Sequence, residues 1–569
     1  MSGYEYRRTR SSRKGRRNGF SSSPPTINSA PPKIGGRTAG TNARTGQRIS
    51  RSYDTDGRKR KRRSGGRRTN GRLGLIAIAA LLLVLASGAG IFMLTRPASA
   101  SIVALPADAV ITCGGTSAEG VLELAELDPG VYTVSVERKG FEPVQTDIEL
   151  KRGNTRLEYA LTPLPVLVSV VTHPEGVACE IALEDGQVIS GVTPFEQQVS
   201  AGPAQMSLSL AGYNTLTTDF FLEEDRVFDY YMDPEGQILH GLGTITTLGA
   251  PKGVSVTHDG GEAWTSILNG PPSIEIFDPR TGAKIGEVDI GEYGAVEVIF
   301  NKAGTLAYTS QMETAKCFEI DVATRKVVRE FDTKSAWTKW VELSPDEKTL
   351  YASNWSGDDV SIIDLESGEL VKRVGVSNTP RGMYSTDDGR YLYVVGFDSG
   401  DLERIDLATY EKKVLFTDGG ALRHVVADET THRLFISDMS KDVVWVHDMV
   451  SGKTTKFVDT DEKPNTIDLT PDGKMLFVSC RGENNPKSYY IPGPEWGSIL
   501  VFDTTDGKPL DALIAGNQPT ALDVSDDGKL LIFSDFLDNR LRVYEIPDYD
   551  TFLAGNGGRF EAHKAEIKK

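Results

Sequence analysis

Lys252, Lys339, Arg381 and Arg423 hold the same place in successive copies of a repeated pattern, each leading a short apolar strand that runs into a polar turn. Cations gathered by a repeat make an anion site, because ammonium and guanidinium groups hold carboxylates or phosphates through charge-assisted hydrogen bonds. The competing reading is structural: each cation is neutralised by an acid of the neighbouring copy. Where the second strand of each copy ends, the chain places Leu268, Met312, Trp355, Phe397, Met439, Arg481 and Phe536. Trp355, Phe397 and Phe536 at a rim suit packing against sugar rings or a protein partner, or else they fill the wedge between copies. One copy is interrupted by residues 481–497, which add Tyr489, Tyr490 and Trp496 in a Pro- and Gly-containing loop. Irregular aromatic insertions on a rigid scaffold commonly carry specificity, so this loop is the leading candidate for a partner contact.

Hydrolytic chemistry is poorly provided for. No Gly-x-Ser-x-Gly elbow occurs in the repeat region. Among its histidines only His424, beside Arg423, stands where a general base would be useful, and it is the one catalytic candidate. His258, His432 and His447 fall in turns or at strand ends. No Cys-x-x-Cys or Cys/His metal spacing is present, and neither a metal nor a cofactor is expected; ligands drawn from separate copies would leave no local signature.

The elements that must position these residues repeat seven times between Pro251 and Ile546. The second strands read Ala263-Trp264-Thr265-Ser266, Ala307-Tyr308-Thr309-Ser310, Tyr351-Ala352-Ser353, Tyr393-Val394-Val395, Phe435-Ile436-Ser437, Phe477-Val478-Ser479 and Ile532-Phe533-Ser534. Aligned on turns such as Thr470-Pro471-Asp472-Gly473, the leading positions are Lys252, Val296, Lys339, Arg381, Arg423, Asn465 and Thr520, at steps of 44, 43, 42, 42, 42 and 55. Four short strands in a period of about 40 residues are the mark of a β-propeller blade. The last copy stops after its third strand, Leu541-Arg542-Val543-Tyr544-Glu545, and a spare strand, Gly243-Thr244-Ile245-Thr246-Thr247-Leu248, precedes the first. The spare strand is expected to complete the last copy, leaving no open edge.

The chain of 569 residues is too long for one core. Its net charge of −16 hides two opposite parts: residues 1–72 carry 21 Lys and Arg against 3 Asp and Glu, leaving 42 against 76 in the remainder. Residues 1–72 are rich in Arg, Ser, Gly and Pro and are expected to be disordered, for lack of apolar surface to offset ordering entropy. Residues 73–95 carry no charge and would cover about 30 Å of hydrocarbon as one helix. They read as an uncleaved membrane anchor, although Ala98-Ser99-Ala100 resembles a signal cleavage site. The basic excess before them places residues 1–72 in the cytoplasm, against anionic lipid headgroups, and the rest outside. No folded reader accompanies the basic run, so no nucleic-acid partner is expected. Cys113, Cys179, Cys317 and Cys480 are too few for a disulfide scaffold; four buried thiols, or one Cys113–Cys179 bridge, are the alternatives.

Residues 98–163 and 164–234 read as two short all-β modules, each with a turn, a strand and then an aromatic after glycine: Asp128-Pro129-Gly130 leads to Gly140-Phe141, and Ala201-Gly202-Pro203 to Gly212-Tyr213. The second, with His173-Pro174-Glu175-Gly176-Val177 and Gly191-Val192-Thr193-Pro194-Phe195, resembles the PEGA family of bacterial envelope modules; the first is a degenerate copy. That resemblance implies a spacer or binding module and no catalytic residues. The repeats, read from Ser344-Pro345-Asp346 through Leu350-Tyr351-Ala352-Ser353-Asn354 to Val360-Ser361-Ile362-Ile363-Asp364, resemble the YVTN family.

The expected fold is therefore mainly β: a seven-bladed propeller over residues 242–548, preceded by two small β-sandwich domains, one transmembrane helix and a disordered tail, with residues 549–569 as a C-terminal tail. The expected function is that of a membrane-anchored, extracytoplasmic binding or scaffolding protein capturing an envelope glycan or protein. Its ligand contacts would come from Lys252, Lys339, Arg381, Arg423, Trp355, Phe397, Tyr489, Tyr490, Trp496 and Phe536. The alternative is a lactonase-like propeller hydrolase using His424 with Arg381 and Arg423.

Overall fold

Alternation of apolar and polar residues dictates the first elements. In Ala98–Leu105 and in Pro165–His173 every second side chain is buried, so each strand turns one face to a core and the other outward. In the computed structural model, which describes residues 96–569, each of these strands is the centre of a three-stranded sheet. Ala98–Leu105 pairs antiparallel with Val121–Leu127 and parallel with Gly153–Ala160. Pro165–His173 pairs antiparallel with Phe195–Ser200 and parallel with Arg226–Tyr231. A four-stranded sheet accompanies each, in the orders Thr116–Glu119, Val110–Cys113, Gly130–Glu137, Val144–Leu150 and Val188–Val192, Ala178–Leu183, Gly202–Ser209, Leu216–Leu222.

The two modules thus share one topology, and the glycine–aromatic signature has a structural counterpart. Phe141 bridges to Pro163 and Tyr213 to Pro234, in both cases tying the middle of the module to its last residues. Cys113 and Cys179 sit in separate cores, and all four cysteines are buried and free. The modules meet through Arg138, which pairs with Glu223 at 3.0 Å and lies 3.9 Å over the Phe221 ring.

The repeat appears as seven four-stranded antiparallel sheets among the described residues. Six are built from consecutive strands, the third, for example, from Thr338–Leu343, Thr349–Asn354, Asp359–Asp364 and Leu370–Gly375. The seventh joins Pro519–Val524, Leu530–Asp535 and Arg540–Glu545 to His240–Thr246, a strand from the other end of the region. Burial falls off across a sheet: the second strand Met475–Cys480 is buried throughout, whereas the fourth strand Lys284–Val288 is largely exposed.

Two polar devices recur and explain the sequence signature. Ser344 Oγ donates to Asp346 at 2.7 Å and accepts from Thr349 N–H at 3.0 Å, which closes the turn between the first two strands. Thr386 with Asp388, Thr470 with Asp472, and Ser525 with Asp527 do the same. In the second strand, Ser266, Ser310, Ser353 and Ser437 donate to the carbonyls of Val296, Lys339, Arg381 and Asn465, the leading positions of the next sheet. The repeated serine is a staple between sheets, and the turn acids are spent on backbone.

The expected fold class is corrected in these respects. Among the described residues the fold is mainly β, with 55% strand and 3% helix in many small sheets, and no closed propeller is found. Ladders form within each period because strand alternation is a local property, whereas closure of sheets on one another is long-range and is not encoded by the period. Among the described residues no helix is long and apolar enough to cross a membrane. The expected transmembrane helix (73–95) and basic tail (1–72) lie outside the described residues. Residues 549–569 include helices Tyr549–Ala554 and Phe560–Glu566, each too short to announce itself by periodicity.

Candidate functional site

A register slip in the first strand of six of the seven sheets sets the site. The ladder between first and second strands shifts across Lys252, Lys339 and Arg423, and across Arg381-Gly382, Asn465-Thr466 and Thr520-Ala521. A bulged residue leaves the ladder and its side chain is re-aimed. Six of the seven leading positions read from the repeat are therefore bulge positions, and Val296, which precedes the strand Val298–Phe300, is the exception. Gly253 and Gly382, each directly after a cation, let neighbouring first strands approach: a Cβ on Gly382 would stand 3.0 Å from the His424 Cα, and one on Gly253 2.7 Å from the Val296 carbonyl.

The four cations are brought into one electrostatic neighbourhood. Burial first, then the charges of Arg423, Arg381, Arg481 and Lys339, holds the Lys252 amine well below the usual lysine range. Lys339 is shifted the same way by burial, Arg381 and Arg423, and Arg423 by burial and Arg381. Their shared acid is Glu297, adjacent to the leading Val296, whose Oε1 lies 3.3 Å from Arg381 Nη2. Burial pushes the Glu297 carboxyl up against the pull of Arg381, Arg423, Lys252 and Lys339. Arg381 is 2% exposed and Arg423 5%, while Lys252, Lys339 and Glu297 are half-buried and form the way in.

The aromatic residues divide. Lys339 Nζ sits 3.6 Å over the Trp355 ring and Arg381 6.0 Å from it, and Phe397 packs on Trp355 at 5.0 Å. On the other flank Lys252 lies 5.1 Å over Phe536, Tyr490 is 6.5 Å from Phe536, and Tyr489 packs on Tyr490 at 4.0 Å. Tyr489 and Tyr490 are 45% and 50% exposed, and so are free to meet a ligand. Trp496 is not part of this assembly. Its N–H donates to the Ile567 carbonyl, Lys569 covers its ring at 4.3 Å, and it lines a separate cavity of about 460 Å³ with Tyr231 and Tyr544.

Three members were not on the ligand list drawn from the repeat. Arg481 reaches Gln518 Oε1 and lies 5.9 Å from the Tyr489 ring, while Gln518 donates to the Tyr489 carbonyl at 2.7 Å. Burial lowers the Arg481 guanidinium to about 10. Glu297 hid beside an apolar leading residue, and Arg481 among strand ends of mixed type. The third, Asn465, was visible as a leading position but is uncharged.

These groups are under-used within the protein. Arg381 Nη1, Arg423 Nη1, Arg481 Nε and both side-chain polar atoms of Asn465 are buried and have no hydrogen-bond partner among the described residues. Leaving a buried donor unmet costs about 1–3 kcal/mol, more for a charged group, so such a cluster is not selected for stability. The structural reading, in which each cation is neutralised by a neighbour's acid, fails for Arg423, which has no ion pair within 4 Å.

His424 is corrected as a candidate base. Burial and Arg423 lower its imidazole to about 3, which leaves it neutral, and its Nδ1 lies 2.9 Å from the Ile467 carbonyl. Its ring packs on Trp340 at 4.6 Å, and among the described residues no hydrogen bond joins it to a carboxylate. Among the same residues no group of three or more His, Cys, Asp or Glu is placed to hold a metal ion.

The fold and site define a sheet-rich repeat protein with a buried cluster of cations. No protein-family model matches the chain. It is 36% identical over 259 residues to Antigen Lp49 of Leptospira interrogans serogroup Icterohaemorrhagiae serovar copenhageni (strain Fiocruz L1-130). That match covers 44% of this chain and 57% of the relative. Among solved structures, a chain of Kuenenia stuttgartiensis hydrazine synthase is similar with a TM-score of 0.46 and 18% identity, over 53% of this chain and 97% of that one.

Proposed function

We propose that this chain is an extracytoplasmic binding or scaffolding protein of a bacterial cell envelope that captures an acidic partner, glycan or protein, at the cationic ends of the seven sheets. The observation that carries the reading is the gathering of Lys252, Lys339, Arg381 and Arg423 around the Glu297 carboxylate, with Arg481 beside Lys252 and Glu313 beside Lys339. Such an excess of unpaired buried charge costs stability and is repaid when an anion arrives. The exposed rings of Tyr489 and Tyr490 at the edge add contact area at low entropic cost.

The setting rests on composition and likeness. Repeats of the YVTN type and modules of the PEGA type both fit an envelope protein, and the curated relative is named an antigen, which suits an outward-facing chain. In this reading residues 73–95 hold the protein at the cell membrane, residues 1–72 lie in the cytoplasm against anionic lipid, and the rest is outside.

The test compares the full chain with an Arg381→Ala, Arg423→Ala variant for retention of purified envelope polysaccharide and of envelope proteins, at two salt concentrations. Salt-sensitive retention by the parent chain and loss in the variant are expected. Equal retention by both would remove the recess from the function.

A further inference from the structure

The five cations account for an anion but not for Asn465. This side chain is wholly buried at a bulge position equivalent to those of Arg381 and Arg423, and neither its amide donor nor its carbonyl acceptor has a partner in the protein. A carboxylate oxygen or an unprotonated phosphate oxygen satisfies only the donor. Meeting both atoms takes a ligand group that donates and accepts at once, and a hydroxyl is the smallest such group. Arg381 Nη1, Arg423 Nη1 and Arg481 Nε, all buried and unmet, supply the donors for the charge. Phe536, Tyr490 and Tyr489 form an aromatic flank beside Lys252 and Arg481, with Tyr489 and Tyr490 half exposed.

We infer that the recess takes a single hydroxylated anion, namely an acidic sugar residue: its carboxylate or phosphate on Arg381 and Arg423, a ring hydroxyl on Asn465. This rests on the reading that the recess binds ligands, and it specifies what they are. A polymer would then be held through one acidic sugar at a time, with its neighbours over Tyr489 and Tyr490.

Isothermal titration of the full chain with glucuronate, glucose 6-phosphate, glucose, acetate and inorganic phosphate separates the parts. The sugar acid or sugar phosphate is expected to bind about tenfold or more tightly than either glucose or the matching bare anion, the worth of one well-made pair of hydrogen bonds. Whichever of glucuronate and glucose 6-phosphate binds more tightly identifies the anion. Asn465→Ala removes two unmet atoms and leaves none behind, so its melting temperature is expected to hold while the preference over the bare anion disappears. Bare phosphate or acetate binding as tightly as the sugars in the parent chain would overturn the hydroxyl assignment and leave the anion site standing. Failure of every probe, with envelope polysaccharide still retained in an Arg381-dependent way, would overturn the acidic-sugar assignment alone. Failure of every probe and of retention would take the proposed function with it.

Discussion

Taken as a set, the first strands gather cations at one end and acids at the other, and the two ends are treated differently. Three residues beyond Lys339, Asn465 and Thr520 stand Glu342, Asp468 and Asp523. Each of these acids accepts a main-chain N–H from the first strand of another sheet: Glu342 from Ser385 at 3.2 Å, Asp468 from Val524 at 2.9 Å, Asp523 from Val256 at 2.7 Å. Burial pushes Glu342 up to about 8 and Asp468 to about 6, and Asp523 well above the usual range. The acidic end is thus hydrogen-bonded into the framework, whereas the cationic end keeps donors that nothing in the chain meets. Buried polar groups that are satisfied hold a fold together, and those left unmet mark where it awaits something else.

The largest effect that would break this contrast is on binding. Arg381→Ala with Arg423→Ala is expected to weaken acidic-sugar binding by about 100-fold or more, measured by titration calorimetry. Arg423→Ala alone, which removes a like charge from the buried cluster and breaks no ion pair among the described residues, should leave the melting temperature unchanged or higher. A clear fall in melting temperature would make these cations structural.

Next in size is the opposite experiment. Asp468→Ala strands the buried Val524 N–H and is expected to cost about 1–3 kcal/mol in urea unfolding, with anion binding intact. Asp468→Asn keeps an acceptor and should lose less.

The acids also give the contrast a pH signature. Glu342 has a folded value of about 8 against 4.5 for the free carboxyl. The folded state therefore holds a proton that the unfolded chain releases, so stability is greatest below 4.5, falls as pH rises towards 8, and is level above. Glu342→Gln should flatten that slope in melting curves. At the other end the sign concerns ligand: burial and neighbouring cations shift Lys252 and Lys339 down, and a bound anion shifts them back up. Binding should therefore take up protons and weaken as pH rises, read as a buffer-dependent heat. The smallest effect is expected from Ser353→Ala, which removes the 2.8 Å staple to the Arg381 carbonyl and should cost about 1 kcal/mol in both stability assays.

How much of this was legible varies with the range of the cause. Four alternating strands per period, the spare strand ahead of the first copy and the leading cations are local patterns, and they correspond to the four-stranded sheets, the His240–Thr246 ladder and the bulges. Glu297 escaped because it lies just ahead of the strand Val298–Phe300, next to the apolar Val296 to which alignment on the turn assigns the leading position. Trp496 was placed at the mouth by its loop, but the loop is pinned from behind by residues 567–569, a contact between positions some seventy apart that no period encodes.

The seventh sheet has a mechanical consequence. Its strand His240–Thr246 follows directly on the second module, and its partner Arg540–Glu545 is the last strand of the chain. Tension arriving from the amino-terminal side through the two modules would reach this seam before any other sheet of the repeat. The seam is clasped where the load enters, by Asp233 accepting the Gly241 N–H at 2.8 Å and by Arg542 lying 3.4 Å over the Tyr231 ring. A chain severed just before Pro251 would lose that strand, and the edge left on Arg540–Glu545 would be open to any stray strand, its own copies included.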